Sequence, residues 1–311
     1  MTVVTGVSGS GKSSLIVDAL YPILVSRLDH SEIKNRRLRF GEVKAIGAIK
    51  RALMVTQSAI GKNARSCPAT YIDIMPLVRG LFAGFPEAKI RGYRQNRFSF
   101  NVRGGRCEAC EGLGVQKLQM SFLPHLEIAC PICEGRRFNS ETLKVKYRGF
   151  SIADVLDLTG SEAYDLFRNL PLLSKKIKVL VDVGLGYLRL GQSSVTLSGG
   201  ESQRIKLTKE LSKISGKPTV YVLDEPTVGL HFEDIKKLIE VFQALLSRGH
   251  TIVVIEHNLD MIRTADHLID LGPGGGYNGG KIVFEGSVEG MLRDERSLTG
   301  HFLRRKMKNG V

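Results

Sequence analysis

Gly6-Val7-Ser8-Gly9-Ser10-Gly11-Lys12-Ser13 is the stretch that most narrows what this 311-residue chain can fold into. It fits G-x-x-x-x-G-K-[ST], it follows a β-branched run at residues 2 to 5, and it leads into apolar-periodic residues from Ser14 to Leu24. A strand therefore ends in a glycine-rich turn whose backbone N–H groups, together with a helix N-terminus, surround an anion. The candidate phosphate-binding residues are Gly6, Ser8, Gly9, Ser10, Gly11, Lys12, Ser13 and Ser14. Lys12 can reach the β- and γ-phosphates and Ser13 can ligate Mg2+.

The rest of the chain supplies the layers such a loop needs. Ala52 to Thr56, Val220 to Leu223 and Thr251 to Ile255 are short apolar strands, while Arg204 to Ile214 and Asp234 to Ser247 have helical spacing. Strands alternating with amphipathic helices predict an α/β fold with a mostly parallel sheet covered on both faces. Gly272 to Gly280 is expected to be a loop, and Lys281 to Phe284 an edge strand. At the strand ends stand Gln57, Asp224-Glu225 and His257, where ligands gather in open α/β sheets. Asp224 suits Mg2+, and Glu225 suits orienting or polarising an attacking water.

These residues occur with the octapeptide Leu197-Ser198-Gly199-Gly200-Glu201-Ser202-Gln203-Arg204. In that order the set resembles the ATP-binding cassette (ABC) family: phosphate loop, Q-loop glutamine, signature, acidic strand, Val228-Gly229-Leu230 and switch histidine. The resemblance implies an ABC-type P-loop ATPase core in which Gln57, Glu225 and His257 are catalytic. It further implies that Ser198, Gly199 and Gly200 close over ATP held by a second cassette, so that turnover depends on pairing with one.

Between Lys12 and Ser198 the interval is far longer than in a transporter cassette, and it holds Cys107, Cys110, Cys130 and Cys133. Their C-x2-C-x19-C-x2-C spacing fits a four-thiolate structural Zn2+ site, which leaves no open position for a water. An unmetallated cluster or a redox pair is the alternative. Glycines two residues after each pair are expected to turn the backbone so that N–H groups face sulfur. Cys67 is the odd cysteine, expected as a free thiol.

Around the cysteines the chain is similar to the UvrA family of bacterial nucleotide excision repair ATPases, and in detail to their C-terminal cassette. The similarity is carried by Pro68-Ala69-Thr70-Tyr71, Arg97-Phe98-Ser99-Phe100-Asn101-Val102-Arg103-Gly104-Gly105-Arg106-Cys107, Val253 to Asn258 and Asp270-Leu271-Gly272-Pro273. It implies ATP-dependent recognition of damaged double-stranded DNA, with the excinuclease partner UvrB bound through a segment expected to lie outside this chain. Two rival readings are a zinc- and DNA-binding piece of a split UvrA that does not hydrolyse ATP, and a UvrA-like paralogue that confers drug resistance.

The expected organisation is a discontinuous ATP-binding core, 1–57 and 215–311, with an inserted helical signature and DNA-binding domain, 58–214, that includes a zinc module at 104–140. Forty-five Lys and Arg against 31 Asp and Glu give a net charge of +14, which favours a polyanionic partner. Between Glu87 and Arg106 lie six basic residues and one acid, with Tyr93, Phe98 and Phe100 interleaved. Lys62, Arg65, Arg91, Arg94, Arg97 and Arg103 are the candidate DNA contacts, largely sequence-independent in character. The basic tail Arg304 to Lys308 reads as a solvated terminus. No apolar run is long enough to span a membrane and no signal-type N-terminus is present, so a cytoplasmic protein is expected.

Overall fold

The computed structural model describes residues 1–32, 40–41, 43–44, 47–61, 65–118, 126–212 and 216–308. The chain divides into two compact units: Met1–Thr56 with Lys213–Val311, and Gln57–Ser212.

Among the described residues there are eight strands, of which β3 (Val115–Leu118) and β4 (Leu126–Ala129) belong to the second unit. The first unit is built on the other six: β1 (Thr2–Gly6), β2 (Arg51–Val55), β5 (Thr219–Asp224), β6 (Thr251–Ile255), β7 (His267–Gly272) and β8 (Lys281–Gly286). Their order is β2-β5-β6-β1-β7-β8, parallel throughout except for the antiparallel edge strand β8. Every parallel strand therefore presents its carboxyl end on the same edge. Alternation along β1 sends Val4 into a core with Ile16, Val222 and Ile255 on one face, and Val3 into a second core with Ile262, Met291 and Leu303 on the other. Both faces are covered, as the unbroken apolar strands predict.

The helix after the phosphate loop extends beyond its expected end, with wide π-helical turns over Ser14–Leu20 and an α-helix over Tyr21–Asp29, closed by left-handed His30. The basic tail differs from expectation more sharply. Leu298–Lys308 is a helix with Leu303 buried; Arg304 donates to the carbonyls of Leu292 and Asp294, and Lys306 pairs with Asp260 at 2.7 Å. Charge conceals this helix in the sequence, because its buried leucine stands among cations.

The second unit is mainly helical. The Gly-, Pro- and Arg-rich stretch after Gln57 forms helices at Pro68–Tyr71, Met75–Gly84 and Pro86–Ile90, each with proline in its first turn, where the missing N–H costs nothing. Three further helices, Ile152–Asp157, Gly160–Phe167 and Pro171–Leu180, cover the region with helical spacing. The signature helix is Gly199–Leu211. Between the cysteine pairs, β3 and β4 form an antiparallel hairpin. Among the described residues no helix is long and apolar enough to cross a membrane.

Candidate functional site

In the first unit the strand ends converge. Lys12 Nζ donates to the carbonyls of Gly6 (3.0 Å) and Val7 (2.9 Å), lying across the loop it follows. Ser13 Oγ approaches Asp224 Oδ2 at 3.4 Å, and His257 Nε2 lies 3.4 Å from Glu225 Oε1. The loop, the acidic strand end and the histidine thus form one constellation on the carboxyl edge of β1, β5 and β6.

Its electrostatics are those of cations and acids crowded together without full hydration. Burial lowers the Lys12 ammonium below the ordinary lysine value, against the attraction of Glu225, Asp224 and Asp270. Burial, and then the like charge of Glu225, raise the Asp224 carboxyl above its usual range, against Ser13, Lys12 and His257. Glu225 itself holds a left-handed φ of 45°, uncommon outside glycine, and its N–H donates to Ile255 O at 3.0 Å.

Two acids to which the sequence pattern assigns no role, Glu256 and Asp270, organise this edge. Glu256, 1% exposed, accepts from the backbone N–H groups of Thr227 (2.9 Å), His257 (2.8 Å) and Asn258 (3.0 Å). One side chain thereby ties the turn after Glu225 to the histidine loop. Asp270 on β7 accepts from the hydroxyls of Thr5 (2.7 Å), Ser297 (2.7 Å) and Thr299 (3.0 Å), joining β1 to the start of the last helix. The available signal is an acid closing or interrupting a strand of otherwise buried residues, a position that demands satisfied hydrogen bonds.

Gln57 and the signature belong to the second unit and touch there. Ser198 and Glu201 form a reciprocal capping box, Glu201 also accepts from the Tyr187 hydroxyl at 2.7 Å, and a Cβ built on Gly199 would meet Gln57 Cβ and Oε1 at 3.0 Å. Lys206, further along the same helix, donates to both the carbonyl and the hydroxyl of Ser58 at 2.8 Å. The N-terminal N–H groups at Ser198-Gly199-Gly200 are therefore presented by a helix anchored to the segment after Gln57.

Also in the second unit, the Sγ atoms of Cys107, Cys110, Cys130 and Cys133 all lie within 4.8 Å of one another, with 4.0 Å between Cys107 and Cys130 and 3.6 Å between Cys110 and Cys133. Tetrahedral Zn–S bonds of about 2.3 Å require sulfurs about 3.8 Å apart, so the donor set fits. Backbone N–H groups serve the sulfurs: Ala109 and Cys110 for Cys107, Gly114 for Cys110, Ile132 and Cys133 for Cys130, and Arg137 for Cys133. Burial opposes ionisation of Cys130, yet these donors bring it down to about 7; burial pushes Cys133 up to about 12. Gly112 (φ 79°) and Gly135 (φ 84°) make the expected turns. Cys67 is buried and free.

The candidate DNA contacts divide by environment. Arg97 Nε donates to Thr142 Oγ1 at 2.9 Å and its guanidinium lies 4.3 Å from the Tyr93 ring, while Arg91 bridges Glu87 (3.1 Å) and Glu141 (3.0 Å). Arg65 pairs with Glu111 at 3.3 Å. Arg94 and Arg103 are exposed; Arg103 acts electrostatically on Glu108, and Arg94 has no side-chain hydrogen bond among the described residues. Lys62 lies outside the described residues. Phe98 and Phe100 are buried in aromatic clusters with Phe82 and Phe138, so they are core rather than exposed stacking platforms.

No family model matches the chain. UvrABC system protein A of Staphylococcus epidermidis is 51% identical to it over 304 residues, 98% of this chain and 32% of the relative. The protein of the same name from Aquifex aeolicus is 52% identical over 308 residues, 98% of this chain and 33% of the relative. The crystal structure of UvrA2 from Deinococcus radiodurans superposes with a TM-score of 0.88 at 44% identity, covering 98% of this chain and 37% of that one. The chain spans about a third of the length of the curated relatives it matches. The chain, with its mostly parallel sheet and its four-cysteine cluster, is thus similar along almost its whole length to UvrA proteins.

Proposed function

We propose that this chain is an ATP-operated, DNA-binding cassette of a UvrA-type nucleotide excision repair protein. The observation that carries the reading is the convergence of Lys12, Ser13, Asp224, Glu225 and His257 on one sheet edge, in a chain about half identical to UvrABC system protein A. Lys12 uses two of its three donors on loop carbonyls and has a third for a phosphate oxygen. Ser13 and Asp224 would hold Mg2+, which supplies charge neutralisation at the phosphates. Glu225 takes the proton side of the chemistry by orienting water, with His257 beside it. Ser198, Gly199 and Gly200 offer a second phosphate-binding edge, which in head-to-tail pairing serves the nucleotide of another cassette, and Gln57 lies against Gly199.

The four cysteines would hold Zn2+ in a structural role that fixes the hairpin β3–β4 to the surface bearing Arg94 and Arg103. Those arginines, with Arg65, Arg91, Arg97 and Lys62, are proposed to face the phosphates of damaged duplex DNA. The proposed core, 1–57 and 215–311, carries nucleotide, and the inserted 58–214 domain with its 104–140 zinc module carries DNA. UvrB, a second cassette and a cytoplasmic setting follow from the same reading.

Lys12→Ala is expected to abolish ATP binding, and Glu225→Gln to retain bound ATP without turnover. Steady-state ATPase of both, alone and with a partner cassette added, tests this; wild-type rates in both variants refute it. ATP binding without hydrolysis even after a partner is supplied favours the non-hydrolysing reading.

A further inference from the structure

The glycine-rich stretch after β7 is one of the sequence's most distinctive segments, and the ATP reading leaves it without a task. In the structure it lies directly against the phosphate loop. Gly276 N–H donates to Gly9 O at 3.1 Å, and Gly280 N–H donates to Ser10 O at 3.0 Å. The stretch is closed on itself by Gly274 N–H to Asn278 O at 3.1 Å, so it makes its contacts as a compact turn.

The approach is too close for side chains. A Cβ on Gly275 would stand 2.7 Å from Ser8 O, and one on Gly279 would stand 3.0 Å from Ser10 Cα and 2.9 Å from Gly274 O. Neither glycine has a positive φ. Backbone conformation alone would therefore accept alanine at both, and what excludes it is the close approach, above all to the phosphate loop.

A phosphate loop works because its N–H groups point inward at the anion, which leaves its carbonyls to find partners elsewhere. Lys12 covers those of Gly6 and Val7 from inside; the glycine turn covers those of Gly9 and Ser10 from outside. We infer that the Gly274–Gly280 turn is a positioning element that clamps the phosphate loop in its anion-binding conformation. Gly275 and Gly279 are its positioning residues. This inference rests on the ATP-binding reading above.

The test uses Gly275→Ala and Gly279→Ala in the full chain, with Tyr277→Ala, a fully exposed side chain on the same turn, as control. Equilibrium binding of Mg-ATP, thermal melting and amide hydrogen exchange of the peptide spanning residues 6–13 are measured without a partner cassette. Overpacking against backbone should weaken nucleotide binding roughly tenfold or more in both glycine variants. Exchange in the phosphate loop should rise, while Tyr277→Ala matches wild type.

Wild-type affinity and wild-type exchange in folded Gly275→Ala and Gly279→Ala overturn the clamp. A wild-type chain that binds no nucleotide sinks the ATP reading instead, and loop exchange in the variants then still decides the clamp. If one variant fails to fold, the other, compared at a temperature below its own melting point, decides between clamp and no clamp.

Discussion

Glu256→Gln offers a sharp test of how the histidine loop is held. Glu256 is 1% exposed, and its two oxygens divide three backbone donors: Oε1 takes Thr227, while Oε2 takes both His257 and Asn258. A glutamine has one acceptor oxygen, so whichever way its amide turns, at least one buried N–H faces an NH2 group instead. An orphaned buried donor costs about 1–3 kcal/mol, which sets the loss for Glu256→Gln. Glu256→Ala orphans all three and should cost roughly 3–9 kcal/mol, a large part of an ordinary domain's stability. Urea denaturation followed by far-UV circular dichroism gives the totals, and hydrogen exchange at Thr227, His257 and Asn258 localises them. Glu256→Gln with stability within about 0.5 kcal/mol of wild type, and unchanged protection of all three amides, would refute the reasoning.

Other expectations follow from the same geometry. The raised Asp224 carboxyl means that the folded chain holds this proton more tightly than the unfolded one, so its ionisation destabilises the fold as pH rises above the ordinary aspartate value of about 3.9. Asp224→Asn should therefore stabilise the Mg2+-free chain at neutral pH and lose that advantage in acid; an advantage independent of pH contradicts the assignment. Metal analysis should find about one zinc per chain, and Cys130→Ser should lower that content together with the melting temperature of the Gln57–Ser212 unit. Arg94→Glu should weaken duplex binding and flatten its salt dependence with little change in melting. Arg97→Ala should instead cost about 1–3 kcal/mol of stability, because Arg97 is bonded to Thr142 and stacked on Tyr93.

Much of this is legible in the sequence wherever local pattern and long-range packing agree. The phosphate loop, the acidic strand and the strand Thr251–Ile255 announce themselves because buried parallel strands are continuous apolar runs, and the chemistry stands at their ends. The cysteine spacing similarly specifies a cluster that the folded hairpin β3–β4 brings within bonding range of one ion. What escapes depends on partners distant in sequence. That Arg91 and Arg97 are braced by Glu141 and Thr142, 50 and 45 residues later, is one such feature. Phe98 and Phe100 read as stacking rings only while Phe82 and Phe138 are out of view. The last helix is hidden by its charge, and the glycine turn by the absence of any side chain through which a role could be read.

The central claim is that ATP at the Gly6–Ser13 loop governs the grip of this cassette on DNA. Its most direct test is fluorescence anisotropy of a labelled duplex carrying a helix-distorting lesion, titrated with the Glu225→Gln chain in the presence and absence of Mg-ATP. ATP is expected to change the apparent affinity, and the added substitution Lys12→Ala to abolish the change. Identical binding curves with and without ATP, at saturating nucleotide, would contradict the claim.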